Sequence, residues 1–309
     1  MNILPGNMRF GAGQPVKRLE DQRLLTGKGQ FIDDKPEDGA LWLYVLRSPH
    51  AHAKISSIDT RAALAMPGVE AVYTGADLVK DDIGTLPTLA IFKRPDGKPM
   101  TVPPRRLLAH EIVRFAGEAV AAIVATSRVL AQTASEAIEI DYEVLPSVVD
   151  PIEATRPGAP LVWPDAPDNI VAAMSYGDAI KVEEVFASAA HVVSLDLVSQ
   201  RLVPSAMEPR STIAEIENTT GRLILHVQSQ TPGSTRDLLA EAILKRPKES
   251  VRVLVGDIGG GFGQKTSLYP EDGIVAYAAT KLGKKIRWRG DRTDEFRSEE
   301  HTSELQSLV

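Results

Sequence analysis

The residues best suited to chemistry lie between positions 251 and 288. An apolar segment there leads into a glycine-rich loop and then into a predicted helix that begins at Pro270 and ends before Gly283. Proline at the first helical position and glycine just beyond the last one support these bounds. A strand, a glycine loop and a helix N-terminus together direct backbone N–H groups toward a ligand. The stretch is therefore predicted to be a binding loop, whose central residues are Gly259, Gly260, Gly261, Phe262 and Gly263.

The spacing of this loop does not fit two familiar nucleotide-binding motifs. A Walker A loop requires glycine directly before the lysine, and Gln264 precedes Lys265 here. A dinucleotide fingerprint that starts at Gly259 requires glycine at position 264. A tight turn that needs positive φ and a loop that approaches a ligand both stay open, and Lys265 either binds an anion or is solvated. A nucleotide-binding enzyme is a weaker alternative, which ATP or NAD affinity would test.

Three further groups carry suitable side chains, and each also has a plainer structural interpretation. Gln230 follows a strand and precedes a Pro-Gly turn, so its neutral amide either donates to an oxo ligand or caps the strand. Glu208 and Arg210 form either a catalytic acid with an anion clamp or an ordinary ion pair. His50 and His52 share one face of a predicted strand, which suits a metal ion or simple packing.

Alternating strands and helices are predicted to position these residues. The first half shows a strand at 41–46, a strand–turn–strand around Gly117 and a helix capped by Ser127. In the second half a helical pattern becomes strand-like in HVVSLDLVSQRLV, and an amphipathic helix runs from residue 234 to 244. The predicted divisions are an extended arm over 1–18, a compact α/β unit over 19–150, a Pro-rich linker over 151–170 and a second unit over 171–296.

Composition narrows the classes of partner. The 309 residues are 43% hydrophobic and 25% charged, with a net charge of −6 and no basic block, which argues against a nucleic-acid partner. The absence of cysteine excludes disulfides, thiolate nucleophiles and protein-ligated iron–sulfur clusters in this sequence. No apolar run is long enough to span a membrane and no signal-peptide pattern is present, so a cytoplasmic location is expected.

Two sets of segments share one resemblance. The first set is RLEDQRLLTGKGQFIDD, RSPHAHAKISSIDT, PGVEAVYTGADL and VRFAGEAVAAIVAT, and the second is PSAMEPR, QSQTPGSTR, DIGGGFGQK and LGKKIRWRGDRTDEF. Together they resemble the molybdopterin-binding large subunit of the xanthine dehydrogenase, aldehyde oxidase and aerobic carbon monoxide dehydrogenase family. The resemblance implies an α+β chain, in which an N-terminal α/β hammerhead domain is followed by the first part of a mixed α/β molybdenum-cofactor-binding domain.

The resemblance also implies roles for matched residues. Gln230 matches the glutamine that hydrogen-bonds a ligand oxygen of molybdenum. Phe262 and Gly263 match the loop beside the metal and pterin, and Gly260 and Gly261 belong to the same cofactor-binding segment. A neutral amide and backbone N–H groups are suited to orient oxo and hydroxo ligands, which are hydrogen-bond acceptors.

The implied activity is oxidation of an aldehyde, heterocycle or related small substrate by hydroxylation with water-derived oxygen. The implied cofactor is molybdenum-molybdopterin, and bacterial relatives commonly use its cytosine dinucleotide form. FAD is implied on a medium partner subunit and [2Fe-2S] clusters on a small one, which agrees with the absence of cysteine here. In purine-oxidising members an acidic residue at the position of Thr266 contacts the purine. Its absence here makes xanthine a less favoured substrate, and Thr266 is the implied substrate-contacting residue.

The family pattern is expected to continue after Phe296, but residues 297–309 read RSEEHTSELQSLV, which resembles a translated sequencing adapter. This tail is therefore expected to be non-native. The family's general base is expected to lie outside the sequence, so no catalytic residue is assigned. The polypeptide as written is then expected to be inactive and partly folded in its second half. The alternative is a non-catalytic binding or assembly module built on the hammerhead domain.

Overall fold

The computed structural model describes residues 18–88, 91–94, 96–198 and 202–297. The predicted arm over 1–18 and tail over 297–309 lie outside these ranges except for Arg18 and Arg297. The strands are β1 Leu41–Arg47, β2 Ala53–Asp59, β3 Val69–Thr74, β4 Ile112–Val113, β5 Ala119–Ala125, β6 Glu139–Val144, β7 Ser211–Ile216, β8 Leu223–Val227, β9 Val251–Leu254 and β10 Ile286–Arg289. The α-helices are α1 Asp21–Leu25, α2 Arg61–Leu64, α3 Gly75–Lys80, α4 Arg128–Glu136, α5 Pro151–Ala154, α6 Ala179–Ser188, α7 Pro232–Asp237, α8 Pro270–Leu282 and α9 Arg292–Arg297.

A mixed sheet contains strands from both sides of the predicted linker, residues 151–170. Within the described ranges it has seven strands in the order β3-β5-β1-β10-β7-β8-β9. Strand β1 pairs antiparallel with β5 on one side and parallel with β10 on the other, where Leu41 lies opposite Ile286. Every residue of β5 is buried, as expected for a strand covered on both faces. Strands from before and after residues 151–170 therefore share one sheet and one apolar core.

His50 and His52 lie directly before β2, the central strand of a second sheet. Its order within the described residues is β4-β2-β6, and Ala53 of β2 and Val113 of β4, which lie opposite each other, are buried. The His50 ring packs edge-on against Tyr142 with centroids 4.8 Å apart, and His52 Nδ1 lies 2.8 Å from the Pro146 carbonyl oxygen. No cluster of three or more His, Asp or Glu side chains in the described ranges suits a metal ion. Both histidines thus make packing or backbone contacts.

Several predicted helix signals match the structure. Ser127 caps α4, because its side-chain oxygen accepts a hydrogen bond from the Leu130 N–H. Helix α8 begins at Pro270, and Gly283 follows it with φ of +63° in the left-handed conformation. The predicted helix over 234–244 begins earlier, at Pro232, and continues after α7 as a π-helical segment, Leu238–Ile243. No described helix has the length and apolar character needed to cross a bilayer.

The strand-like pattern after α6 does not form a strand. Residues 191–198 make no ladder with any described strand, although their apolar residues alternate. Val193, Leu195 and Leu197 are 90%, 77% and 82% exposed. Alternation gives a segment an apolar face, but a strand also needs a neighbour to satisfy its backbone groups. The sequence prediction of a strand here is therefore wrong for the described residues.

Candidate functional site

The glycine-rich loop links β9 to α8 through an unusual backbone path. Gly260 and Gly263 have φ of +105° and +90°, so the predicted need for positive φ is met at these two glycines. Phe262 also has positive φ, +50°, and its side chain is 70% exposed. This conformation costs a residue with a Cβ roughly 1–2 kcal/mol. The loop therefore holds an exposed aromatic ring in a strained position.

The other glycines permit close approach rather than positive φ. A Cβ on Gly261 would lie 2.6 Å from Gln230 Oε1, and one on Gly259 would lie 2.5 Å from Glu208 Cβ. Real Cβ atoms do not come so close to another heavy atom. The glycine run is thus explained by two side chains that lie directly against its backbone.

Gln230 is tied to the loop on one side of its amide. The Gly263 N–H donates to Gln230 Oε1 at 3.1 Å, and the Gln230 N–H donates to the Lys265 carbonyl oxygen at 2.8 Å. Because the side-chain oxygen accepts, Nε2 is left as a donor. Among the described residues this nitrogen has no partner, and neither do the backbone N–H groups of Gly260, Gly261 and Phe262. The structure therefore brings Gln230 against the predicted loop, with Gln230 Nε2 and three loop N–H groups available as donors among the described residues.

Lys265 does not face solvent or an open anion site. Its side chain is fully buried, and Nζ donates to the Glu208 carbonyl oxygen at 3.0 Å and to Glu208 Oε2 at 3.1 Å. Burial lowers the pKa of Lys265, while the Glu208 carboxylate opposes that shift. The interpretation of Lys265 as a solvated side chain is therefore wrong, and its ammonium binds a carboxylate of the chain itself. The predicted pairing of Glu208 with Arg210 is wrong too, because Glu208 pairs with Lys265.

Arg210 belongs instead to a buried network behind the loop. Its Nη1 donates to Glu271 Oε2 at 3.1 Å, and Arg47 Nη2 donates to Glu271 Oε1 at 2.6 Å. The Arg210 N–H donates to Glu295 Oε1 at 3.0 Å, and Gln264 Nε2 donates to Glu295 Oε2 at 2.6 Å. Burial opposes ionisation of Glu271, yet Arg210 and Arg47 lower its pKa to about 2. The network thus connects β1, α8 and α9 to the end of the loop.

Sequence reasoning missed this network. Glu271 stands in the first turn of α8, where an acid is expected simply because it favours the helix dipole. Its partner Arg47 lies 224 residues away in the chain, and no local pattern announces such a pairing. An acid at position 271 therefore indicates the start of a helix and not its long-range partners.

Thr266 lies beside the loop, half-buried. Its N–H donates to the Gly263 carbonyl oxygen at 3.1 Å, and its own carbonyl oxygen accepts from Thr231 Oγ1 at 2.7 Å. These bonds fix its backbone against the strand end that carries Gln230. A contact between Thr266 and substrate stays a prediction.

Asp272 is expected to make the stability of the fold depend on pH. It is buried, its carboxylate contacts the Thr212 hydroxyl and accepts the Tyr269 N–H, and burial raises its pKa from 3.8 to about 6. Because the folded pKa is the higher one, this contribution to stability is fully present below pH 3.8 and is lost as the pH rises through 6. The wild-type free energy of unfolding should therefore fall by up to about 3 kcal/mol over this window, and the Asp272→Asn protein should not show this fall.

The measurement is urea unfolding of both proteins at several values between pH 4 and pH 6. Glu271 has its effect at lower pH, since its lowered pKa gives stability that is lost as the pH falls from 4.5 toward 2. That contribution is present in both proteins and cancels. Parallel stability profiles for the two proteins would contradict the assignment to Asp272.

Comparison with known protein families agrees with this architecture. Residues 26–146 match the family described as the aldehyde oxidase and xanthine dehydrogenase a/b hammerhead domain. Residues 162–308 match the family described as the molybdopterin cofactor-binding domain. The predicted fold, a hammerhead domain followed by a mixed α/β cofactor-binding domain, is confirmed.

Individual relatives match nearly the whole chain. The nicotine 6-hydroxylase large subunit of Paenarthrobacter nicotinovorans is 37% identical over 94% of this chain and 35% of its own length. The carbon monoxide dehydrogenase large chain of Afipia carboxidovorans is 37% identical over 92% of this chain and 35% of its own length. The crystal structure of quinoline 2-oxidoreductase from Pseudomonas putida 86 has a TM-score of 0.81 at 37% identity, covering 91% of this chain and 35% of that one.

The chain thus spans about a third of the length of the curated relatives it matches. Two consecutive domain families, these relatives and the shared fold lead to one assignment. The chain belongs to the xanthine dehydrogenase, aldehyde oxidase and carbon monoxide dehydrogenase family of molybdopterin-binding large subunits, whose members are molybdenum oxidoreductases.

Proposed function

We propose that this chain supplies one wall of a molybdenum-molybdopterin site in a hydroxylase. The observation that carries the proposal is the Gln230 amide, whose oxygen is held by the Gly263 N–H while Nε2 stays available at an exposed position. The uncommitted N–H groups of 260–262 lie in the same loop. Oxo ligands and pterin carbonyls accept hydrogen bonds, so a donor-rich surface free of Cβ atoms at Gly260 and Gly261 fits the group.

Each residue has a distinct task in this proposal. Gln230 would orient an oxygen acceptor of the bound group by donating from Nε2 without adding charge, and the loop N–H groups would hold that group against the β9–α8 connection. Phe262 places an exposed aromatic ring where it excludes water beside the site. When bound, the cofactor supplies two-electron oxidation of a C–H carbon with oxygen derived from water.

The proposed substrates are aldehydes and electron-poor nitrogen heterocycles. Relatives named for nicotine and quinoline support the heterocycle class, and the uncharged Thr266 argues against a purine clamp. We also propose the cytosine dinucleotide form of the cofactor, an FAD-binding medium subunit and a [2Fe-2S] small subunit. The absence of cysteine from the sequence is consistent with clusters carried elsewhere.

The proposal predicts the effect of Gln230→Ala. In the polypeptide that carries this sequence, co-expressed with its partner subunits, turnover should fall roughly 10- to 100-fold, because an outer contact to the metal site is lost. The unfolding midpoint should hardly change, since the side chain is exposed. Molybdenum and pterin content and turnover of aldehydes and N-heterocycles are the measurements.

Gln132→Ala is the matched control, because Gln132 is an exposed glutamine on α4. It should leave content and turnover unchanged. Equal turnover for Gln230→Ala and wild type would contradict the role of Gln230. A wild-type polypeptide that holds neither molybdenum nor pterin would overturn the proposed function and favour a binding or assembly module.

A further inference from the structure

Two consecutive side chains after the loop, Gln264 and Lys265, are both buried. Each reaches a carboxylate from a different part of the chain: Gln264 contacts Glu295 and Lys265 contacts Glu208. A lysine ammonium is strongly hydrated, and its burial is costly unless it is paired and hydrogen-bonded. The position of Lys265 therefore calls for a function.

The Glu208 carboxylate joins the two ends of the loop. Its Oε2 accepts the Gly259 N–H at 2.7 Å, at the start of the glycine run, and the Lys265 ammonium at 3.1 Å, just after its end. The backbone joins them a second time, because the Glu208 N–H donates to the Gly259 carbonyl oxygen and Nζ donates to the Glu208 carbonyl oxygen. Bonds with one charged partner are shorter and stronger than neutral ones.

Net stabilisation of the fold is a weak explanation for such a pair. Buried ion pairs are often no more stabilising than apolar replacements of similar size, whereas they do impose one specific geometry. The segment that Glu208 and Lys265 enclose is the one with strained Phe262 and the uncommitted N–H groups. A strained, exposed segment keeps one shape only if its surroundings hold it.

We propose that Lys265, acting through Glu208, is a positioning residue that holds the glycine-rich loop in the shape that presents Gly260, Gly261 and Phe262 N–H groups to the cofactor. The inference rests on the proposed function for its purpose, but not for its geometry. The Lys265 side chain is fully buried and that of Glu208 is 12% exposed, so the pair is proposed to act through the loop.

The test compares Lys265→Met, which keeps the length of the side chain and removes its charge, with the double variant Lys265→Met/Glu208→Gln. The first readout is amide hydrogen exchange at Gly259 and Gly263 in cofactor-free protein, because these two loop N–H groups donate to Glu208 and Gln230. The second is molybdenum and pterin content per chain, and the third is the urea midpoint. Lys281→Met is the control, because Lys281, on α8, forms a partly exposed ion pair with Asp81.

Lys265→Met should raise exchange in the loop about tenfold or more and lower cofactor content about tenfold. The double variant removes the unpaired buried carboxylate, so its urea midpoint should recover toward wild type while loop exchange stays fast and cofactor content stays low. This split separates positioning from general stability. Lys281→Met should change none of the loop exchange or content.

If the loop of a folded Lys265→Met or double variant exchanged at the wild-type rate, the inference would be overturned. Recovery of loop protection and cofactor content together with the midpoint in the double variant would also overturn it, since the pair would then serve stability alone. Loop exchange is measured without cofactor, so it tests the Lys265–Glu208 pair even if the wild-type polypeptide proves to bind no molybdenum. Failure of the proposed function is thereby distinguishable from failure of the inference about this pair.

Discussion

Replacing Glu271 with leucine is expected to lower the free energy of unfolding by roughly 3–5 kcal/mol. The side chains of Arg47 and Arg210 are 7% and 6% exposed, and both donate to this one carboxylate. Leucine would leave two buried guanidinium groups short of a partner. Asp294 still contacts Arg47, and Glu295 still contacts Arg210, which favours the lower end of the range. Urea unfolding, with midpoint and slope fitted separately, measures the effect.

An exposed ion pair provides the control for this substitution. Asp59 contacts Arg61 on the surface, and Asp59→Ala should change the unfolding midpoint little because water screens the pair. A Glu271→Leu protein as stable as Asp59→Ala would show that the network is dispensable. Since Glu271 connects β1 with the start of α8, that result would also contradict its place in coupling the two halves of the sheet.

Replacing Gly261 with alanine is expected to empty the site without unfolding the chain. The added Cβ would lie 2.6 Å from Gln230 Oε1, and the exposed glutamine side chain is free to move away. The substitution should therefore displace the Gln230 amide and leave the packing of the core unchanged. A misplaced contact group of this kind lowers turnover on the order of 100-fold, and molybdenum and pterin content per chain should fall with it.

Gly233→Ala is the matched control, because a Cβ there meets no heavy atom within 4 Å. Gly233 lies in α7, where alanine is tolerated better than glycine. This protein should retain wild-type cofactor content, turnover and stability. If Gly261→Ala behaves in the same way, the close approach of Gln230 to the loop has no functional consequence.

The sequence by itself determined the elements that depend on neighbours along the chain. The start of α8 at Pro270, its end at Gly283 and the Ser127 cap follow from short-range hydrogen bonding and φ preferences. The glycine series likewise indicated positive φ, which Gly260 and Gly263 adopt. The ordered set of motifs was sufficient to indicate the family.

Only the tertiary structure decided which charges pair and which strands are neighbours. Lys265 was ambiguous in the sequence because spacing does not show whether a side chain points inward, and Glu208, its partner, lies 57 residues away. The alternation in residues 191–198 predicted a strand that has no described neighbour to pair with. Pairing of β1 with β10 likewise depends on the whole chain. Burial and long-range contact set these features, and neither is encoded in a local pattern.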